Sequence, residues 1–268
     1  GTRDILPDEV DRWRKIISTV SRISASYNYD FIMPPIFEAT ELFARGIGEI
    51  SDIVAREMYT FKDQGGRSLT LRPEGTASVV RAYLEHSLGA TSGPVKVWYA
   101  GPMFRQERPQ AGRYRQFYQF GVEAIGSLDP ALDAEVISLN YDILKDLGMD
   151  DLTLEINSIG MPQDRKAHWE AFSRFVEPNL KRYCQDCQRR FRSNPLRMFD
   201  CKENSCQNLL SEAPVVFDYL LDENRQHFDE VLKYLEIADL PFTLNKRLVR
   251  GLDYYTRTAW EFKSAKLG

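Results

Sequence analysis

The chain has 268 residues, 43% of them hydrophobic and 28% charged, with 35 basic and 39 acidic side chains for a formal net charge of −4. This is the composition of a soluble globular protein with room for one large domain, or a domain plus an insertion, and the charge balance confines any nucleic-acid contact to a local patch. No apolar run reaches the ~18 residues of a membrane span and no stretch has the form of a secretion signal, while all four cysteines (Cys184, Cys187, Cys201 and Cys206) lie in one short segment, which speaks against a disulfide-stapled secreted domain and for a reducing, cytoplasmic setting.

From Asp8 to Tyr27 the residues Val10, Trp13, Ile16, Ile17, Val20 and Ile23 recur every three or four positions, which predicts an amphipathic helix with Pro7 and acidic residues in its first turn. The following YDFIMPPIFEATELF reads as an extended piece bent or edged by Pro34 and Pro35. Glu57 to Phe61 and Ser68 to Leu71 read as short strands around a Gln64-Gly65-Gly66 turn. In LRPEGTASVVRAYLEH, Glu74 and Thr76 precede a helical run, a place where carboxylates and hydroxyls commonly serve as caps.

Val95 to Gly101 leads into FRQERPQAGRYRQFYQFGVEAIG, Phe104 to Gly126, two arms joined by a charged loop. Alternation puts Arg115, Phe117, Gln119, Gly121 and Glu123 on one face of the second arm and Tyr118, Phe120, Val122 and Ala124 on the other, taken as the core face. An antiparallel return brings Arg105, Glu107, Gln119 and Glu123 to one sheet surface. A guanidinium there suits a phosphate, and a carboxylate suits a cationic or N–H-donating group; an exposed hairpin with solvated charges is the plainer alternative.

Leu132 to Leu147 carries a helical period closed by Gly148, and Asp151 to Asn157 alternates as a half-buried strand. Met161 to Leu240 has a helical texture without strands. Within it Lys181 to Lys202 holds seven basic residues against Asp186 and Asp200, a balance of +5, with Tyr183, Phe191 and Phe199 interspersed; this suits RNA contact or a solvated helical face. The cysteines Cys184, Cys187, Cys201 and Cys206 read as thiols packed in a small subdomain, the C-x4-C spacing being loose for a metal, and a tetrahedral zinc site on C-x2-C then C-x4-C is the alternative. His168 and His227 read as packing or surface residues. Phe242 to Phe262 returns to strand-like composition around RLVRGLDYYTRT.

The run FRQERPQAGRYRQF with FGVEAIG resembles motif 2 of the class II aminoacyl-tRNA synthetases in its histidyl version. TLRPEGTA and RLVRGLDYYTRT resemble that family's amino-acid-binding loop and histidine signature, and the first helix with its proline-ended strand is similar to motif 1, the family's dimer interface. The resemblance implies an α+β fold, a class II antiparallel sheet flanked by helices, with a catalytic core over residues 1–160 and 241–268 and a helical insertion domain over 161–240. It implies ATP-dependent activation of histidine, with Mg²⁺ on the pyrophosphate side, and transfer to tRNA(His) by a cytoplasmic homodimer. Glu74, Gly75, Thr76, Gln119, Glu123, Arg250, Tyr254 and Tyr255 are then expected around histidine. Glu123 and Tyr255 would face the imidazole, and Glu74, Thr76 and Gln119 the amino group. Arg105 and Glu107 are expected at ATP, Arg105 and Arg250 at the α-phosphate as the catalytic pair, and Gln110, Arg113 and Arg115 at the acceptor end of the tRNA. The family's motif 3 has no counterpart in these 268 residues, so the expectation is a catalytic-domain fragment that activates histidine poorly by itself. A regulatory subunit of histidine biosynthesis on the same fold is the rival, although such relatives generally lack the signature at Arg250, Tyr254 and Tyr255. An RNA-binding module would not need Glu74, Glu123 and Arg105 together, and no G-x-x-x-x-G-K-[ST] loop supports a P-loop enzyme.

Overall fold

The structure, a computed structural model, describes residues 1–47, 54, 57–90, 92–107, 113–251 and 254–265. Helix α1, Pro7–Ser26, starts on a proline whose missing N–H costs nothing at that position and carries Asp8 and Glu9 in its first turn, as the sequence predicts. It buries Val20 and Ile23, sets the Trp13 ring 4.6 Å from that of Tyr118, and ends where Asn28 turns left-handed at φ 61°. Strand β1 (Asp30–Phe31) and strand β2 (Phe37–Ala39) flank the two prolines. The end of the piece expected to be extended, Thr40 to Phe43, instead opens helix α2, Thr40–Ile47: Thr40 and the acidic Glu41 suit a first turn, and eight residues carry too few apolar repeats to show a period.

Strands β3 (Tyr59–Lys62) and β4 (Ser68–Leu71) pair antiparallel around the predicted glycine turn, and β2 adds to the other side of β4. Helix α3 is Thr76–Glu85. Strands β5 (Val95–Phe104) and β6 (Gln116–Ile125) form the predicted hairpin, paired over ten positions from Val95 opposite Ile125 to Phe104 opposite Gln116, with β1 parallel to β5. The core face differs from the expected one. Val97, Tyr99 and Met103 are buried with Val79 of α3, against Phe117 and Ile125, so the face carrying Glu123 is itself packed. The other face is partly covered, by Trp13 on Tyr118, which stays 44% exposed, and by Phe31 on buried Trp98; contacts on both faces defeat a reading based on alternation alone.

Helix α4, Pro130–Asp146, is capped by Asp129, whose carboxylate accepts from Ala131 N at 2.9 Å. Strand β7 (Leu152–Ser158) follows, then helices α5 (Pro162–Val176), α6 (Gln185–Ser193), α7 (Asn204–Leu209) and α8 (Asp222–Ile237), linked by 3₁₀ turns. Buried Asp164 ties this stretch together, accepting from Met161 N at 2.6 Å, Leu221 N at 2.7 Å and Asn224 Nδ2 at 2.8 Å. His168 packs as expected, its Nε2 2.8 Å from Pro214 O, and burial lowers its pKa. Strands β8 (Phe242–Leu244) and β9 (Thr258–Ser264) complete a third sheet on either side of β7, parallel and antiparallel respectively. The described residues between them, 245–251 and 254–257, expected to be strand-like, form no strand. The α+β architecture comprises two compact units, Gly1–Leu132 with Leu139–Gly148, and Asp133–Ser138 with Met149–Gly268. No helix among the described residues is long and apolar enough to cross a membrane.

Candidate functional site

In the first unit, Glu74 lies just before α3 and does what its position alone predicts: Oε2 accepts from Thr76 N at 2.7 Å and Oε1 from Ala77 N at 2.9 Å. Two first-turn amides are thereby satisfied, and the residue is 4% exposed. Thr76 is not a cap. Its hydroxyl crosses to β6 and donates to Glu123 Oε1 at 2.7 Å, and the Tyr99 hydroxyl donates to the same oxygen at 3.4 Å. The Tyr99 ring occupies the space between Gly75 and Gly121. A Cβ at either position would fall 2.2 Å and 2.4 Å, respectively, from ring carbons, so the two glycines make the slot into which the phenol fits.

Glu123 keeps part of its surface open, yet its carboxyl is pushed up from 4.5 to about 7. Burial is the leading cause; the charge of Glu74 pushes the same way, and the hydrogen bonds from Thr76 and Tyr99 oppose it. Gln119 stands opposite Gly101 in the register, two residues from Gly121 on the same face. The expected convergence of Glu74, Gly75, Thr76 and Glu123 is therefore present, with Tyr99 as a member the sequence reading passed over.

Arg105 follows the end of β5. Its Nε donates to Pro73 O at 2.9 Å, its guanidinium lies 5.0 Å from the Phe117 ring centroid, and its Nη1 is 3.8 Å from Glu107 Oε1. Arg113 Nη1 reaches Glu107 Oε2 at 3.2 Å, and Arg115 Nε donates to Glu107 O at 3.3 Å. Glu107 thus gathers the basic residues of the motif 2 loop, while Gln110 lies outside the described residues. Arg72, also passed over, is 4% exposed and donates to Pro102 O at 2.9 Å and Pro34 O at 2.9 Å, pinning the two-proline bend to β5. Burial lowers its pKa.

In the second unit, Arg250, Tyr254 and Tyr255 lie on the loop between β8 and β9. The Arg250 guanidinium sits 5.6 Å from the centroid of the Tyr255 ring, which stacks on Tyr254 at 5.0 Å and 26°. Arg165 donates to Tyr255 O. Asn157, buried on β7, donates to Lys246 O at 3.1 Å and Leu248 O at 2.8 Å and so fixes the start of the loop. Sequence alone marks Asn157 only as the polar end of an alternating strand. Asp200 stands near Arg197, Arg190 and Arg250; burial raises its pKa and those charges oppose the rise. The four cysteines also come together, with all their sulfurs within 4.8 Å of one another.

Residues 1–170 match the family model described as histidyl-tRNA synthetase. The whole chain is 55% identical to a histidine–tRNA ligase of Halothermothrix orenii and 56% identical to one of Moorella thermoacetica, spanning 64% and 63% of those proteins. The chain thus covers a little under two thirds of the length of these curated relatives. Among solved structures, apo histidyl-tRNA synthetase of S. aureus superposes with a TM-score of 0.77 at 44% identity, over 98% of this chain and 60% of that one. A protein of Bacillus halodurans described as an ATP phosphoribosyltransferase regulatory subunit/histidyl-tRNA synthetase gives 0.70 at 22% identity, covering 100% of this chain and 72% of that one, a likeness of fold alone. With motif 2 on a paired hairpin and a family match over residues 1–170, this chain belongs to the histidyl-tRNA synthetase family.

Proposed function

We propose that the protein carrying this chain activates histidine with ATP and transfers it to tRNA(His). The observation that carries this reading is the group of Glu74, Thr76, Tyr99 and Glu123. Two carboxyls beside a phenol and a hydroxyl suit a ligand that brings an ammonium and imidazole N–H groups, and suit an anion poorly. The attacking group is histidine's own carboxylate, ionised at neutral pH, so the first step needs no general base. Its oxygen bonds to the α-phosphorus, and pyrophosphate leaves with the Mg²⁺ that enters as part of the nucleotide substrate. The adenosine hydroxyl at the 3′ end of the tRNA then attacks the histidyl carbonyl, and AMP departs.

The chain's part is to align the carboxylate and to offset charge on the phosphoryl oxygens. Arg105 fits that task in the first unit: the Pro73 carbonyl and the Phe117 ring hold its Nε side and its plane, and Nη1 stands 3.8 Å from Glu107 Oε1, so the guanidinium is oriented before a phosphate arrives. Glu107 is the remaining ATP contact of this reading. Arg250 keeps the α-phosphate and carboxylate role, Tyr254 and Tyr255 the histidine side, and Arg113 and Arg115 the acceptor end. Residues 161–240 are read as an insertion whose basic segment meets the acceptor stem. The assembly is read as a homodimer through the surface that includes Phe31, Met33, Ile36 and Phe37, all exposed in the single chain. Cytoplasmic residence follows from the substrate.

Histidine-dependent exchange of labelled pyrophosphate into ATP is the test. Exchange that needs histidine supports the reading. Its absence in folded protein that still binds histidine would favour the regulatory-subunit alternative, and absence of both would favour a module that binds only RNA.

A further inference from the structure

The first turn of α6 brings two thiols together, because Cys184 is its N-terminal cap and Cys187 lies three residues on. The 3₁₀ turn Pro195–Asp200 delivers Cys201 at its end, and Cys206 sits inside the short helix α7. The four sulfurs meet although 22 residues separate the first from the last, with Cys184 Sγ 3.7 Å from Cys201 Sγ and every pair within 4.8 Å. Four thiolates around one zinc at ~2.3 Å stand ~3.8 Å apart along the tetrahedron edges. A disulfide brings two sulfurs together and gives no reason for a third and fourth to join them.

Two further features point to bound thiolates. The Cys184 N–H is directed at Cys206 Sγ at 3.3 Å, and the Cys187 N–H at Cys184 Sγ at 3.4 Å. Sulfur in a neutral thiol is a weak acceptor, whereas an amide facing a thiolate makes a charge-assisted bond. The segment Lys181 to Lys202 also carries a surplus of five positive charges with its thiols counted neutral, which offsets the double negative charge of a zinc tetrathiolate. The surrounding elements are short, nine residues in α6 and six in α7, and pieces of that length need a staple to hold a core.

We infer that Cys184, Cys187, Cys201 and Cys206 bind a structural zinc ion, and that this centre holds in place the loop carrying Arg250, Tyr254 and Tyr255. The second half follows from what touches the cluster. Val249 is buried in the same core as the cysteines. Gln207, next to Cys206, donates to Cys201 O at 2.7 Å and to Phe199 O at 3.0 Å and accepts from Arg247 Nη2 at 2.8 Å. The Arg247 guanidinium lies 5.3 Å from the Phe199 ring centroid. The path from ligand to loop is thus three residues long. With four protein ligands the centre is closed, so its role is structural.

The test uses the intact protein purified under reducing conditions without chelator, and reads metal, so its outcome does not depend on histidine activation. About one zinc per chain is expected, replaceable by cobalt(II) with the d–d bands of tetrahedral thiolate coordination. Less than about 0.1 equivalent, both as purified and after incubation with zinc, together with no cobalt bands, overturns the proposal. So does a Cys184–Cys201 disulfide found by mass spectrometry under those reducing conditions. Cys201→Ser is expected to lose the cobalt bands; because that variant can fail to fold, the loop is tested on the wild-type protein. After removal of the metal with a chelator, tryptic cleavage following Arg247 and Arg250 is expected to accelerate at least about tenfold, through a larger open population of the loop. An unchanged cleavage rate in metal-free protein refutes the link to the loop.

Discussion

Replacing Glu123 by glutamine isolates the most perturbed carboxyl of the candidate site. In the folded chain this group holds its proton up to about pH 7, against 4.5 ordinarily. The folded state therefore binds the proton more tightly than the unfolded state, so the contribution of protonated Glu123 is fully present below about pH 4.5 and is lost as the pH rises through about 7. At ~1.4 kcal/mol per pH unit the loss is at most about 3.4 kcal/mol, and the access to solvent that Glu123 retains discounts it to about 2 kcal/mol. Glutamine has the shape of the protonated acid, still accepts from Thr76 through Oε1, and offers an N–H₂ group to the side where Glu74 raises the cost of a second charge. Urea unfolding of both proteins at pH 5 and pH 8 checks this. Glu123→Gln should gain about 2 kcal/mol relative to wild type between the two pH values, because only the wild type has a charge to bury at pH 8. A difference that stays within about 0.5 kcal/mol across that range would refute the buried-carboxyl account. The same account makes histidine binding at pH 6 release a proton from Glu123, since ammonium and imidazole N–H donors favour the ionised form. Calorimetry in two buffers of different ionisation enthalpy measures that release, and an unchanged proton count in Glu123→Gln would assign it elsewhere.

Glu123→Ala should weaken histidine binding at least about tenfold while changing ATP binding little, as judged by titration calorimetry; equal losses would remove Glu123 from the imidazole side. Gly75→Ala places a methyl 2.2 Å from the Tyr99 ring and is expected to cost about 1–3 kcal/mol in urea unfolding, with the phenol displaced from Glu123. Arg72→Met leaves the carbonyls of Pro34 and Pro102 without their donor and should cost about 2–4 kcal/mol by the same measurement. Light scattering at micromolar concentration should give twice the 31.0 kDa of the chain, and a monomer mass there would sink the dimer.

How much of this was legible in the sequence depended on what each pattern encodes. Twenty residues of period 3.6 in α1 and ten paired positions of period two in β5 and β6 average over many side chains, so those elements emerge from the sequence alone. Short segments offer no such average, so the first half of α2, Thr40 to Phe43, reads as extended. The loop from Asn245 to Arg257 contains enough Tyr, Leu and Val to pass for a strand. The start of the loop is held instead by Asn157, which takes the Lys246 and Leu248 carbonyls out of any ladder, a long-range effect no local pattern records. Tyr99 was passed over for a related reason. Its slot exists only because Gly75 and Gly121, 46 residues apart in the chain, meet across α3 and β6.

Glu74 shows why a cap and a ligand-binding residue are not competing descriptions. Each carboxylate oxygen has two acceptor directions, and the helix amides take one on each. That pairing fixes the plane of the group against the N-terminus of α3. Glu123 lacks amide donors, and its environment favours the neutral form until a cation arrives. The two carboxyls thus stand in different surroundings, one held by backbone amides and one by two hydroxyls. A ligand with one fixed positive charge and one N–H donor group favours the ionised form of Glu123 and draws a charge out of it. A dication would gain from both at once, and a neutral amino-acid side chain would leave Glu123 protonated and poorly used. On the proposed histidine reading, discrimination against close analogues is then expected to lie in the proton of Glu123, a property of burial that the residue letters alone do not carry.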